Sequence, residues 1–476
     1  MTEAPGTKVI DIGRGQLDVI VDVVDVTPDE NPMRVINLTE DGLAVEFTHR
    51  YRHKLRYCHT RHSWYVWDET RWKQEKTSLA FHWARLLCRE INSALPIIAQ
   101  KDSTAKAITA LNVEKFAKSD RVFSVTEELW NTNPWLIATP TGTIDLKTGE
   151  LIPARQEDHI TLRTSVAPEP GVPEIWIQFL HEATNGDIEL QRFLQQIAGY
   201  CLTGITREHA LFFLYGPGGN GKGVFVNTIS KILDELATGS PMSTFTASKH
   251  DQHPTDLASL AGARMVTASE TEEGRAWAES RIKQITGGDP VNARFMRQDF
   301  FQYLPQYKLV IMGNHKPVLQ SVDDAARRRF NIVPFTFKPA SPDLELEDKL
   351  KAEYSQILSW MIDGCLDWQE HGLVRPAVVT SATDDYFEEQ DLFRQWLEEC
   401  TEEASERVGE RTTKLYGSWK SYAENAGDEA GSQRSFREKM QRAGFEYKAH
   451  LPADHNGRGF IRLRIRIQQG GHFYES

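Results

Sequence analysis

Lys222 closes the run Gly216-Pro217-Gly218-Gly219-Asn220-Gly221-Lys222-Gly223, a spacing that lets successive backbone N–H groups and one ammonium converge on phosphate oxygens. The apolar stretch from Ala210 to Tyr215 reads as a buried strand feeding this loop. After it, Val224, Phe225, Ile229, Ile232, Leu233 and Leu236 recur at helical spacing. Strand, glycine loop and helix in that order form a cradle for the phosphates of ATP. The residue after Lys222 is Gly223, where Ser or Thr ordinarily gives a hydroxyl to Mg²⁺. The ion must then be held by acidic residues elsewhere, by the phosphates and by water.

Further groups follow in an order that suits nucleotide hydrolysis. The strand-like Arg264 to Ser269 ends in Glu270, with Glu272 and Glu273 close by. A carboxylate at a strand's C-terminal edge beside the cradle can hold Mg²⁺ and polarise the attacking water. Glu270 is the first choice, Glu272 the second, and Glu273 reads as a solvated surface charge. The strand Lys308 to Gly313 ends in Asn314, whose amide can orient water against the γ-phosphate. Then Arg327, Arg328 and Arg329 precede the strand Asn331 to Phe335. A guanidinium offered to a neighbouring subunit's ATP stabilises charge on the transferred phosphoryl group, and Arg328 and Arg329 are the candidates. Between carboxylate and asparagine, Lys283, Arg294 and Arg297 are interleaved with aromatic residues up to Tyr303, a composition suited to tracking a phosphodiester backbone.

The C-terminal stretch offers a second basic constellation. Thr412 to Tyr422 reads as a helix with a threonine cap, and Ser432 to Arg442 as a second helix carrying Arg434 and Arg437. The alternating strand Phe460 to Ile467 places Arg462, Arg464 and Arg466 on one side. Helix, helix and basic ribbon suggest a winged-helix DNA-binding module.

The elements that must position these groups form several units. Residues 1–36 read as a strand or flexible leader, and 37–165 as an α+β domain with a hairpin at Leu55 to Trp67 and a tight turn at Gly149. A linker at Pro168 to Pro173 leads to the nucleotide-binding core, 175–340, with helical patterning from Ile175 to Leu202 ahead of the loop. Residues 341–375 are helical, and 376–476 make the C-terminal module. With 476 residues the chain holds several cores, and its net charge of −12 excludes a surface coated in positive charge for non-specific nucleic-acid binding. Five scattered cysteines form no Cys-x-x-Cys pair, and neither a long apolar span nor a signal pattern appears. An intracellular, cytoplasmic protein without membrane association is expected.

The series Gly216 to Lys222, Thr255 to Arg264, Ser269-Glu270, Lys283 to Asp289, Gly313 to Pro317 and Arg328 to Phe330 resembles the superfamily 3 helicases, specifically the phage and plasmid primase-helicases related to the poxviral helicase-primase. Asn37 to Ala44, Trp64 to Asp68 and Pro134 to Arg163 resemble that family's helicase-associated domain. The resemblance implies an α/β fold with an AAA+ type P-loop core and a ring, usually a hexamer, moving on single-stranded or forked DNA during replication of a phage, plasmid or integrated element in a bacterial cytoplasm. In it Lys222 binds phosphate, Glu270 assists Mg²⁺ and water, Asn314 is the sensor, and Lys283, Arg294 and Arg297 approach DNA. Primer synthesis is not expected, since only about 36 residues precede the associated domain and Asp22 and Asp25 do not make a primase site; a separate primase or polymerase would be a partner. The contrasting reading is an ATP-binding DNA initiator or assembly scaffold without productive unwinding.

Overall fold

Apolar runs that alternate between two helical layers produce the central sheet. In the computed structural model, residues 7–11, 17–22, 33–95, 104–247, 254–270, 275–296, 300–319, 324–339, 343–426, 429–452 and 457–466 are described, with backbone alone for 7–35, 254 and 270. Five parallel strands, β1 (Leu211–Tyr215), β2 (Ala237–Gly239), β3 (Met265–Glu270), β4 (Lys308–Gly313) and β5 (Phe330–Pro334), lie in the order β2-β3-β4-β1-β5. Phe212 and Leu214 enter the core on one face, whereas Leu211 and Phe213 enter the core on the other.

The first face is covered by α1 (Glu174–Ala183), α2 (Ile188–Leu202), α3 (Lys222–Leu233) and, beyond α4 (Asp324–Arg329), by α5 (Tyr354–His371). The helical patterning from Ile175 to Leu202 thus resolves into two helices. Asp187 separates them by accepting from Leu190 N at 2.9 Å, which caps α2. On the opposite face Trp277 and Tyr386 pack against Phe213 and Ile332, with Trp277 Nε1 donating to the Tyr386 hydroxyl at 2.9 Å.

Ahead of this core, the strands Leu55–Cys58 and Ser63–Trp67 pair as the expected hairpin in a four-stranded sheet. The helices Glu40–Tyr51, Leu79–Ala94 and Ala107–Ser119 close over it around Phe47, Leu87, Val113 and Phe123. Gly149 adopts φ +78° in the turn between Gly142–Asp145 and Glu150–Ile152. Ile137, Ile144 and Leu146 of this strand group pack into the core shared with α2 and α5, so it is seated on the parallel-sheet unit rather than on the preceding α+β core. Within the leader, Thr7–Asp11, Leu17–Asp22 and Met33–Asn37 form an antiparallel sheet.

The C-terminal module has its own core of Trp396, Trp419, Phe436 and Met440. Its helices α6 (Thr412–Asn425) and α7 (Gln433–Arg442) stand beside a sheet ordered Gly409–Arg411, Gly459–Ile461, Tyr447–Lys448. Two expectations change here. Thr412 is the first residue of α6 and not its cap; Arg411 occupies the cap position and makes no side-chain capping bond. The basic strand is broken at Arg462, whose φ of +66° turns the chain so that Gly459–Ile461 pairs with Gly409–Arg411 while Leu463–Ile465 pairs with Thr401–Glu403. Among the described residues, no helix is long and apolar enough to cross a membrane.

Candidate nucleotide and nucleic-acid sites

Sheet register brings the expected groups to one edge. Tyr215 pairs with Gly313, and Gly313 with Glu270, so the loop after β1, Asn314 after β4 and the end of β3 lie side by side. At strand spacing, the Glu270 backbone is about 10 Å from that of Tyr215. Glu272, Glu273 and Arg297 lie outside the described residues, and only the backbone of Glu270 is described.

Lys222 begins α3, and its ammonium donates to Gly216 O at 2.8 Å, Asn314 Oδ1 at 2.7 Å, and Pro217 O and Asn220 Oδ1 at 3.4 Å each. Burial pushes this ammonium below the usual lysine value. Asn220 is buried; its Nδ2 donates to Phe335 O and its Oδ1 accepts from Lys222 N at 3.5 Å, which ties the loop to the residue after β5. Gly221 stands at φ +87°, and a Cβ there would lie 2.8 Å from Phe179 Cε2. The loop therefore needs glycine both for its turn and for its approach to α1.

A cavity of about 440 Å³ lies over this loop, lined by Gly219 to Val224, Ser269, Met312 to Asn314, Asn227 and Glu347. A Cβ at Gly218 or Gly223 would meet nothing within 4 Å, so the cradle offers backbone donors and open room, as a triphosphate with its cation requires. A second cavity, of about 570 Å³, shares Gly219, Asn220 and Gly221 with the first. Its apolar walls are Ile175 and Phe179 of α1, Val224, Phe337 and Leu346, and Glu182 and Asp343 are among its polar groups. Sequence reasoning missed this chamber, although the apolar face of α1 was a signal for it.

The three arginines separate in role. Arg327 is paired with Asp384 at 2.8 Å and lies over the Phe387 ring. Arg329 Nη1 donates to Ala325 O at 2.9 Å, and Arg328 is exposed with its Nε donating to Asp324 O at 3.2 Å. All three lie on α4 at the start of β5, whose Phe330 pairs with Leu211, the first residue of β1. The phosphate loop follows the last residue of β1, about 13 Å further along the sheet.

Lys283 is half-buried on the helix Glu279–Gly287. Arg294 projects from the hairpin Val291–Ala293 and Phe301–Tyr303, 4.7 Å from the Phe300 ring centroid. Met296 and Phe300 expose 78% and 61% of their surface near it, which makes this segment unusually apolar for a solvent-facing loop. Arg61 braces the hairpin from the N-terminal unit, over Phe295 at 5.3 Å and Phe301 at 5.9 Å, a contact that sequence patterning did not reveal.

In the C-terminal module, Arg434 and Arg437 of α7 join Arg411 and Arg458 around a cavity of about 720 Å³. Arg437 lies over the Tyr447 ring at 4.7 Å. Arg462 and Arg464 are ion-paired with Glu406 and Glu402, and Arg466 is exposed. Arg434 is likewise paired, with Glu438 at 3.4 Å, so at the α7 cavity four arginines meet one carboxylate.

The chain matches the family described as D5 N terminal like over residues 44–185 and DUF5906, a family of unknown function, over 214–329. It is 24% identical over 291 residues to "Putative helicase L207/L206" of Acanthamoeba polyphaga mimivirus and 28% identical over 232 residues to "Putative helicase 022R" of Frog virus 3. These alignments cover 56% and 44% of this chain but only 30% and 24% of those longer proteins. By these matches the chain is similar to viral proteins named as helicases and carries a D5 N terminal like segment followed by a DUF5906 segment. An apo structure of the NrS-1 C terminal region has a TM-score of 0.49 and 12% identity to it, over 86% of this chain and 96% of that one.

Proposed function

We propose that this chain is the motor of a superfamily 3 replication helicase, an AAA+ type P-loop ATPase that assembles as a ring, a hexamer, and separates DNA strands as it moves on single-stranded DNA. The observation that carries the reading is the Lys222 ammonium held between Gly216 O and Asn314 Oδ1 at the carboxyl edge of a parallel sheet ordered β2-β3-β4-β1-β5. In this reading the glycine loop and Lys222 bind the β- and γ-phosphates, the chamber under α1 takes the base and ribose, and Asn314 orients the attacking water. Glu270, with Glu272 beside it, serves the metal and that water. Mg²⁺, when bound, neutralises developing charge on the phosphates. The Arg328 and Arg329 pair serves the neighbouring subunit's nucleotide, because α4 lies at the opposite end of the sheet from its own phosphate loop.

DNA contacts divide between the stretch of sequence that carries Lys283, Arg294 and Arg297 and the C-terminal module. There the order of helices and the sheet Gly409–Arg411, Gly459–Ile461, Tyr447–Lys448 supports a winged helix with α7 as its reading helix. The division into units 37–165, 175–340, 341–375 and 376–476, amended in that Ile137, Ile144 and Leu146 and also Tyr386 and Phe387 pack with the parallel-sheet core, belongs to the same proposal, as do a bacterial cytoplasmic setting and a separate primase or polymerase partner. The test is strand displacement from a labelled forked duplex with ATP and Mg²⁺. Displacement by wild type supports a motor; a folded, nucleotide-bound assembly that displaces nothing supports the initiator or scaffold reading instead.

A further inference from the structure

P-loop ATPases hold the nucleotide's Mg²⁺ with a Ser or Thr after the loop lysine and an Asp at the end of a neighbouring strand. This chain has Gly223 at the first position, and β3 ends Ala268-Ser269-Glu270. Resting on the nucleotide reading of this site, we propose that the hydroxyl absent from position 223 is supplied from across the cleft by Ser269, which makes Ser269 Oγ a protein oxygen ligand of the nucleotide's Mg²⁺.

Three observations carry this assignment. Ser269 is exposed and lines the same cavity as Gly223 and Asn314. Alternation along β3 gives it the face turned to α3: Met265 packs in the core with Phe225 and Ile229, and Ser269 lies four residues on, on that same side. At Gly223 a Cβ would meet nothing within 4 Å, so space for a cation and its water extends from the helix toward the strand.

Two other oxygen-bearing side chains that line the cavity already have partners. Glu347 accepts from Lys231 Nζ at 2.6 Å and from Asn227 Nδ2 at 3.3 Å, which neutralises its charge and turns the amide of Asn227 toward it. Asn314 Oδ1 is taken by Lys222. The Ser269 hydroxyl is a hard neutral oxygen of the kind Mg²⁺ accepts.

The experiment is equilibrium binding of a fluorescent ATP analogue to the full chain, in EDTA and across a Mg²⁺ titration, for wild type, Ser269→Ala, Gly223→Thr and the double variant. Ser269→Ala is expected to leave affinity in EDTA unchanged and to raise the Mg²⁺ midpoint about tenfold. Gly223→Thr, for which there is room, is expected to restore that midpoint in the Ser269→Ala background. Ser269→Cys is expected to shift preference from Mg²⁺ toward Cd²⁺, since a sulfur ligand favours the softer ion. A Ser269→Ala midpoint equal to that of wild type, with Ser269→Cys gaining nothing in Cd²⁺, would overturn the assignment while leaving the nucleotide site standing. Failure of folded wild type to bind the analogue at all would overturn the nucleotide reading, and this assignment with it.

Discussion

Lys222 Nζ donates to Asn314 Oδ1 at 2.7 Å, joining the end of the glycine loop to the end of β4. In the proposed reading this hydrogen bond puts the cation assigned to the phosphates directly beside the amide assigned to the attacking water, and a change at either position is expected to be felt at the same phosphate.

Asn314→Ala is expected to slow hydrolysis about 100-fold, the scale of losing one positioned polar group, while leaving nucleotide affinity nearly unchanged. Asn314→Asp is expected to lose affinity as well, because a carboxylate beside the Lys222 ammonium competes with the phosphates for it. Single-turnover hydrolysis paired with equilibrium binding separates the two effects. An Asn314→Ala rate equal to wild type would remove Asn314 from the mechanism.

Arg328 lies at the start of β5 and the phosphate loop follows the end of β1, so complementation between subunits is expected. Arg328→Ala should bind nucleotide but hydrolyse it poorly. Mixing it with Lys222→Ala protein should create some interfaces with both an intact loop and an intact arginine, and restore part of the activity. Mixtures no more active than the inactive parents would count against a role between subunits.

The C-terminal arginines are expected to differ. Arg434→Glu with Arg437→Glu should weaken duplex binding and flatten its salt dependence by about one unit of slope for each DNA phosphate left without its guanidinium. Among single alanine variants, Arg437→Ala should weaken binding more than Arg434→Ala, Arg462→Ala or Arg464→Ala, because Glu438, Glu406 and Glu402 already pair with those three side chains. Fluorescence anisotropy across a salt series checks this ordering.

Lys308 is fully buried, donates to Thr203 O at the C-terminus of α2 and lies 4.6 Å from the Tyr200 ring centroid. Burial pushes its ammonium down to about 7. An unfolded lysine titrates near ~10.4, so above pH 7 the unfolded chain binds the extra proton and stability rises with pH, by at most about 1.4 kcal/mol per unit. Burial raises Cys201 and Cys365 to about 12, which gives the opposite slope once unfolded thiols ionise, so the clean window runs from about pH 7 to 8.5. Chemical denaturation of wild type should become harder across that window, and Lys308→Met should lose the rise. An unchanged slope in the variant would assign the pH dependence to other groups.

The parallel-sheet core was legible because its strands are short apolar runs and its loop has fixed spacing. Leu211, Lys308 and Phe330 each begin a strand within a residue of expectation, and register alone then brings the Glu270 backbone, Asn314 and the loop together. What escaped reading depends on packing between distant segments. The second chamber needs Phe179 from before the loop and Phe337 from after β5. Alternation around Arg462 and Arg464 correctly gives exposure but says nothing of Glu406 and Glu402, or of the left-handed turn that breaks the strand. The Arg61 brace on the hairpin is of the same kind.

Steady-state ATP hydrolysis with Mg²⁺, with and without single-stranded DNA, for wild type and Lys222→Ala side by side, tests the motor most directly. DNA-stimulated turnover in wild type that is abolished in Lys222→Ala is the predicted result. Turnover that survives in Lys222→Ala, or none in a folded and assembled wild type, would contradict it.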